Sequence, residues 1–144
     1  MADFNSGDVV AFFAGLRPVR AWRDPLVYAL IGVYRVREVV RLETVPPKFW
    51  GHNAHTRRVE HRGTDVIVRG EPSISGRLRR CIPIGEWRDR AYRVRRDVLE
   101  AWGGLSSRDG YIQRSAVPPR LLDPRRFLTW LLEQKPALIA INNP

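Results

Sequence analysis

The chain has 144 residues, 44% of them hydrophobic, and 25 basic against 15 acidic side chains leave it a net charge of +10. That length suits one domain spanning 1–144 with its own core, and the lone Cys81 excludes a disulfide scaffold. The longest nearly uncharged apolar run, Leu26 to Tyr34, is far short of the roughly 20 residues a membrane-spanning helix needs.

In chain order, the start Met1-Ala2-Asp3-Phe4-Asn5 lacks the basic-then-apolar order of a signal peptide, which favours a cytoplasmic setting. Val9 to Gly15 is an apolar run of strand length closed by glycine, read as a buried strand. Leu16 to Pro25 sets two prolines and three arginines around Trp22, which reads as a loop with a stacking ring and phosphate-binding candidates such as Arg17. From Leu26 to Val40 the chain is β-branched and aromatic, then alternates Arg35, Val36, Arg37: a strand passing from full to half burial. Gly32 within it marks a bend or a close backbone approach.

Leu42 to Arg62, with Pro46-Pro47 and three histidines, keeps no period and reads as a long functional loop. Asp65 to Gly70 is a short strand. Ser73 to Ile84 is open between a helical turn and an edge strand, with Pro83 arguing against a central one. Arg95 to Trp102 before Gly103-Gly104 fits a short helix, and Asp123-Pro124 starts a second. The second helix is expected to bury Phe127, Leu128, Leu131 and Leu132 and to end by Pro136. Trp102, Trp130 and Cys81 are expected in the core. Strands first and helices last make an α+β domain: a small curved sheet or barrel in the N-terminal half, with helices from the C-terminal half packed on it.

The charge is informative because only Lys48 and Lys135 are lysines, so nearly all of it is guanidinium, suited to bidentate phosphate contacts and to stacking on bases. An Arg-rich, Cys-poor composition also suits a protein of a hot or high-GC organism, but ion-pair networks for heat would bring a more even share of acids. Nucleic acid is therefore the expected partner.

Three segments carry a resemblance: Gly7-Asp8-Val9 through Phe13-Ala14-Gly15-Leu16-Arg17, then Tyr28 through Gly32-Val33 to Glu38-Val39, then Asn53-Ala54-His55. Together they resemble the C-terminal half of the nucleotide modification associated domain family, third type, and more distantly PUA-like barrels of the EVE and ASCH kind. The resemblance implies a curved sheet with a pocket for a base, modified or not, a basic rim for its phosphates, and the company of a separate modification enzyme. Asn53 and Ala54 stand where the family often has His-Pro, which argues against a catalytic or metal role for the motif.

The candidate nucleic-acid-binding residues are Phe13, Arg17, Trp22, Trp50, Asn53, His55, Arg57, Ser75, Gly76 and Arg77, expected around one cleft with Phe13 and Tyr34 shaping its floor. Asn and Arg read base edges, Ser-Gly-Arg suits a phosphate nest, and tryptophans stack. Trp87, in polar surroundings, is a further stacking candidate. His52, His55 and His61 lack the spacing of a structural zinc site and read as surface residues contacting phosphate, so no metal or other cofactor is expected. No P-loop, nucleophile elbow or dinucleotide fingerprint is present. A binding module is thus favoured over the alternative, an enzyme acting on a nucleotide or base, which would require Asp8, Glu38 and His55 to meet.

Overall fold

The computed structural model describes residues 4–17, 19, 26–52, 56–57, 64–113 and 118–139. The β-branched, aromatic stretch forms one long strand, β2 (Val27–Arg41), which is the spine of the fold. β1 (Val9–Leu16) pairs antiparallel with its first half, and β3 (Val66–Gly70) with its second. β4 (Gly76–Pro83) and the two-residue β7 (Leu138–Ile139) extend the sheet in the order β1-β2-β4-β7. A second, two-stranded sheet is the hairpin of β5 (Gly85–Arg88) and β6 (Ala91–Val94). The helices are α1 (Arg96–Ala101) and α2 (Pro124–Glu133). The protein is therefore mostly β-sheet with few helices, an α+β-like arrangement, and both sheets are open among the described residues. Among the described residues no helix is long and apolar enough to cross a membrane.

A bulge decides which side chains share a face. Phe12 pairs with Gly32 but Phe13 pairs with Leu30, leaving Ile31 as an extra residue on β2. Leu30 and Val33, three apart and hence on opposite faces of a regular strand, thereby both enter the main core. From β1 the same core receives Val9, Ala11 and Phe13, and from the C-terminal half Ile84, Val94, Trp102 and Phe127. Phe12 is on the other face and 44% exposed. The first strand is thus half-buried at the sheet edge rather than fully buried, since among the described residues no strand pairs its outer side.

The stretch after β2 is not structureless. Two 3-10 turns, Leu42–Thr44 and Pro47–His52, fold back so that Leu42 and Val45 make a small second core with Ile67 and Val40. The ambiguous 73–84 segment is strand from Gly76 on, with Pro83 at its last position, past the point where β7 pairs it. Cys81 on this strand is exposed, contrary to the core expectation, because β4 beyond Leu78 has no strand on its far side among the described residues.

The hairpin had no signal in the sequence because its turn lacks glycine. Asp89 and Arg90 both lie in the left-handed region, at φ 51 and 61. Two such residues are what a two-residue hairpin turn requires, and Asp-Gly is its usual composition. Left-handed backbone costs an ordinary residue about 1–2 kcal/mol, against about 0.4–1 kcal/mol that glycine loses through its freer unfolded chain. Arg90→Gly is accordingly expected to raise stability by about 0.5 kcal/mol or more. A urea midpoint that falls instead would contradict this account of the turn.

α1 stops as its sequence suggests: Gly103 and Gly104, at φ 75 and 100, donate their N–H groups to the carbonyls of Glu100 and Leu99, each at 3.0 Å. α2 starts with Asp123, whose carboxylate accepts the N–H groups of Arg125 and Arg126, with Pro124 in the first turn. The buried stripe of α2 is Phe127, Trp130 and Leu131; Leu132, expected inside, is 58% exposed. Successive helix residues stand about 100° apart, so a stripe centred on 127 and 131 turns 132 outward. Trp102 and Trp130 are buried as expected.

Candidate functional site

The single cleft anticipated from the sequence divides into separate places. Phe13 faces the core, 6.4 Å from the Tyr28 ring, whereas Tyr34 lies on the opposite, outer face, where its edge-on partner is Phe12 at 5.7 Å. The floor ascribed to Phe13 and Tyr34 therefore belongs to Phe12 and Tyr34, since odd and even residues of β1 part to opposite sides. This outer face carries a groove of about 330 Å³ lined by the aromatic pair, Gly32, Gly76, Arg77 and Ile139.

Two glycines give the groove its shape. A Cβ on Gly32 would stand 3.0 Å from the Gly76 carbonyl oxygen, and one on Gly76, whose φ is 154, would stand 3.1 Å from that of Ile139. With no side chain at either position, β2, β4 and β7 approach closely and leave a floor of bare backbone beside the Phe12 ring.

Of the other expected residues, Ser75 is buried and works for the fold. Its hydroxyl accepts the Arg35 N–H at 3.1 Å and donates to the Arg35 carbonyl at 3.3 Å, joining the strand entry to β2. Arg17 is exposed just past the end of β1. Trp50 and the exposed Arg57 belong to the region over the small second core: the Trp50 indole donates to the Val45 carbonyl at 2.8 Å, and buried Thr56 donates to the Trp50 carbonyl. Neither lines the groove. Trp22, Asn53 and His55 lie outside the described residues.

Electrostatics separates the arginines into two populations. Arg35 pairs with Glu71 at 3.5 Å, Arg37 and Arg69 share Glu38 at 2.9 and 3.2 Å, and Arg95 holds Asp97 at 3.1 Å. Arg88, with only 15% of its side chain exposed, binds Glu86 at 2.9 Å and Asp109 at 2.6 Å. By contrast Arg77, Arg79 and Arg80 along β4, and Arg17 and Arg57, have no carboxylate at ion-pair distance among the described residues. The excess positive charge is thus not spread evenly: β4 carries three exposed guanidiniums beside the groove.

The carboxylates weighed for chemistry are already engaged. Hydrogen bonds from Arg37 and then Arg69 hold the Glu38 carboxyl below its ordinary value of 4.5, so it is a poor proton acceptor near neutrality. Asp8 accepts the Asn5 N–H at 2.8 Å. Among the described residues no three His, Cys, Asp or Glu side chains converge as a metal site would need.

Two features escaped the sequence reading. Alternation places Phe12 and Phe13 on opposite faces, but the run Val9 to Gly15 is apolar on both, so only the packed core shows that Phe12 is the outer ring. A chain of rings runs outward from Tyr28 through Tyr92, stacked at 4.4 Å, to Trp87, edge-on at 5.0 Å and 58% exposed. Trp87, a stacking candidate from its polar surroundings, is attached to this chain of rings by the hairpin, which the sequence did not signal.

Comparison with protein-family models, curated proteins and solved structures found no match to this chain.

Proposed function

We propose that this chain is a non-enzymatic nucleic-acid-binding module: a PUA-like curved sheet that holds an unpaired base, natural or modified, and serves a nucleotide-modification system in the cytoplasm beside a separate modifying enzyme. The observation that carries the reading is the conjunction on the outer face of a half-exposed ring, Phe12, a side-chain-free floor at Gly32 and Gly76, and the uncompensated arginines 77, 79 and 80. Each part has a chemical task. A base stacks on an aromatic face whatever its identity, bare backbone admits the sugar closely, and guanidiniums take phosphates in pairs of hydrogen bonds. The net charge of +10 draws the strand in.

Binding to fluorescently labelled single-stranded and duplex DNA and RNA across a salt series tests this. Phe12→Ala is expected to weaken single-strand binding by about 1–3 kcal/mol, roughly 5- to 150-fold, with thermal stability nearly unchanged because the ring is half in solvent. Arg77→Ala is expected to lower the slope of log affinity against log salt by about 0.7, the mark of one lost phosphate contact. Wild-type affinity in both variants, or equal binding to heparin, would overturn the reading.

A further inference from the structure

The ring chain ends on a side chain that the fold holds firmly and leaves open. Trp87 is 58% exposed, yet its strand belongs to a hairpin pinned on the other face. Alternation along β5 and β6 places Glu86, Arg88 and Arg93 opposite to Trp87 and Tyr92. There Arg88 binds Glu86 and Asp109, while the Arg93 guanidinium donates to the Arg88 carbonyl at 3.3 Å and to the Arg108 carbonyl at 3.1 Å. On the near face Tyr92 meets both Trp87 and Tyr28, and a Cβ on Gly15 would stand 3.0 Å from the Tyr28 ring, so the inner end of the chain is seated on β1. With more than half of its surface in water the indole keeps a broad face free, and its mount leaves little freedom to lose when a second ring stacks on it.

Uncompensated positive charge stands at the same end of the molecule. Arg90, three residues from Trp87 and so within about 11 Å of it, is exposed at the hairpin tip with no carboxylate at ion-pair distance among the described residues. Its backbone is left-handed, at φ 61, which costs arginine free energy where glycine would incur none. The turn thus bears strain for a side chain that forms no ion pair among the described residues. Arg17, exposed and likewise without a carboxylate partner there, follows Leu16, whose partner Val27 adjoins Tyr28. The acids of the hairpin are committed elsewhere: Glu86 and Asp109 bind Arg88, and Asp89 is 4.0 Å from the same guanidinium.

We infer that Trp87 is a second base-stacking platform, with Arg90 and Arg17 taking neighbouring phosphates, so that one single strand occupies both the Phe12 groove and the hairpin. The inference rests on the nucleic-acid reading of the groove and adds its extent. Gly32 in the groove floor is four residues from Tyr28 along β2, about 13 Å, and the ring chain starts on the opposite face of the sheet from Phe12. Adjacent bases therefore cannot serve both platforms, and the ligand is a strand of several nucleotides that turns round the sheet edge rather than a lone nucleotide.

The test uses the full chain with twelve-nucleotide oligothymidylate and oligouridylate. Trp87→Ala is expected to weaken binding of the better strand about 5- to 150-fold, and Trp87→Phe, which keeps a ring, to recover most of that loss. Arg90→Gly is expected to lower the slope of log affinity against log salt by about 0.7 while its urea midpoint rises, a loss of binding that unfolding does not explain. Strands carrying 5-iodouracil, crosslinked by light and mapped by mass spectrometry, should label Trp87 as well as Phe12. Labelling at Phe12 alone, unchanged affinity in Trp87→Ala, a Trp87→Phe variant no better than Trp87→Ala, or an unchanged salt slope in Arg90→Gly would each overturn the second platform and leave the groove standing. Absence of saturable binding by either strand would overturn both readings.

Discussion

Phe127→Ala is expected to cost about 3–5 kcal/mol of stability, a large part of the roughly 5–15 kcal/mol that holds an ordinary domain folded. The side chain is fully buried and is the meeting point of the two helices. Its ring is edge-on to Trp102 at 5.0 Å and tilted against Trp130 at 6.2 Å, while those two tryptophans meet edge-on at 5.3 Å. Truncation removes the transfer energy of the ring and leaves a hole that two large, rotamer-limited indoles cannot collapse into, so the cost belongs at the high end for a core substitution. Thermal unfolding followed by circular dichroism should show the midpoint falling by about 10 °C or more. A drop of only a few degrees would mean that α2 is not anchored to the end of α1 through this triangle.

Gly85→Ala is expected to destabilise by about 1–3 kcal/mol although it adds a single methyl group. That Cβ would stand 2.5 Å from the Tyr28 Cβ, with the Arg93 carbonyl oxygen and Ile112 at 3.4 Å behind it. The clash is with the stiff root of a side chain, so rotation about a bond does not relieve it; β2 or the start of β5 must move. Both are pinned nearby, since Ile84 N–H donates to the Tyr28 carbonyl at 2.9 Å and Arg95 N–H to the Ile84 carbonyl at 2.8 Å. Movement would also disturb the Tyr28–Tyr92 stack and, through it, Trp87. Gly51→Ala is the matched control, because a Cβ there meets nothing within 4 Å, and it should be neutral or slightly stabilising in the same urea titration. Equal effects at the two positions would refute the steric argument.

The elements that were legible in the sequence are those governed by local rules. β1 and β2 announced themselves through runs of β-branched and aromatic residues, α1 through its paired glycines, and α2 through Asp123-Pro124. In each, the relevant signal lies within a few residues: a side chain that satisfies its own helix end, a glycine that takes left-handed backbone, a strand long enough to show its period. The hairpin of β5 and β6 was illegible for the same reason, because Asp89-Arg90 adopts the turn without the glycine that would have signalled it. β7 is two residues long and exists only because β4 is there to pair with it.

The candidate sites divide in the same way. Composition alone determined that this protein carries a large arginine excess, the fact from which the proposed nucleic-acid reading starts. Which arginines remain uncompensated depended on where the carboxylates came to lie: Arg35 is matched by Glu71, and Arg37 and Arg69 by Glu38, while among the described residues Arg77, Arg79 and Arg80 are not matched. Likewise the one-residue bulge opposite Phe12 and Phe13 aligned Leu30 with Val33 in the core. The hairpin that sets Tyr92 between Tyr28 and Trp87 made a chain of rings that no local pattern encodes. Charge balance and close packing are sums over neighbours distant in the chain, so the sequence by itself determined how much positive charge there is, and only the tertiary structure decided where it is left free.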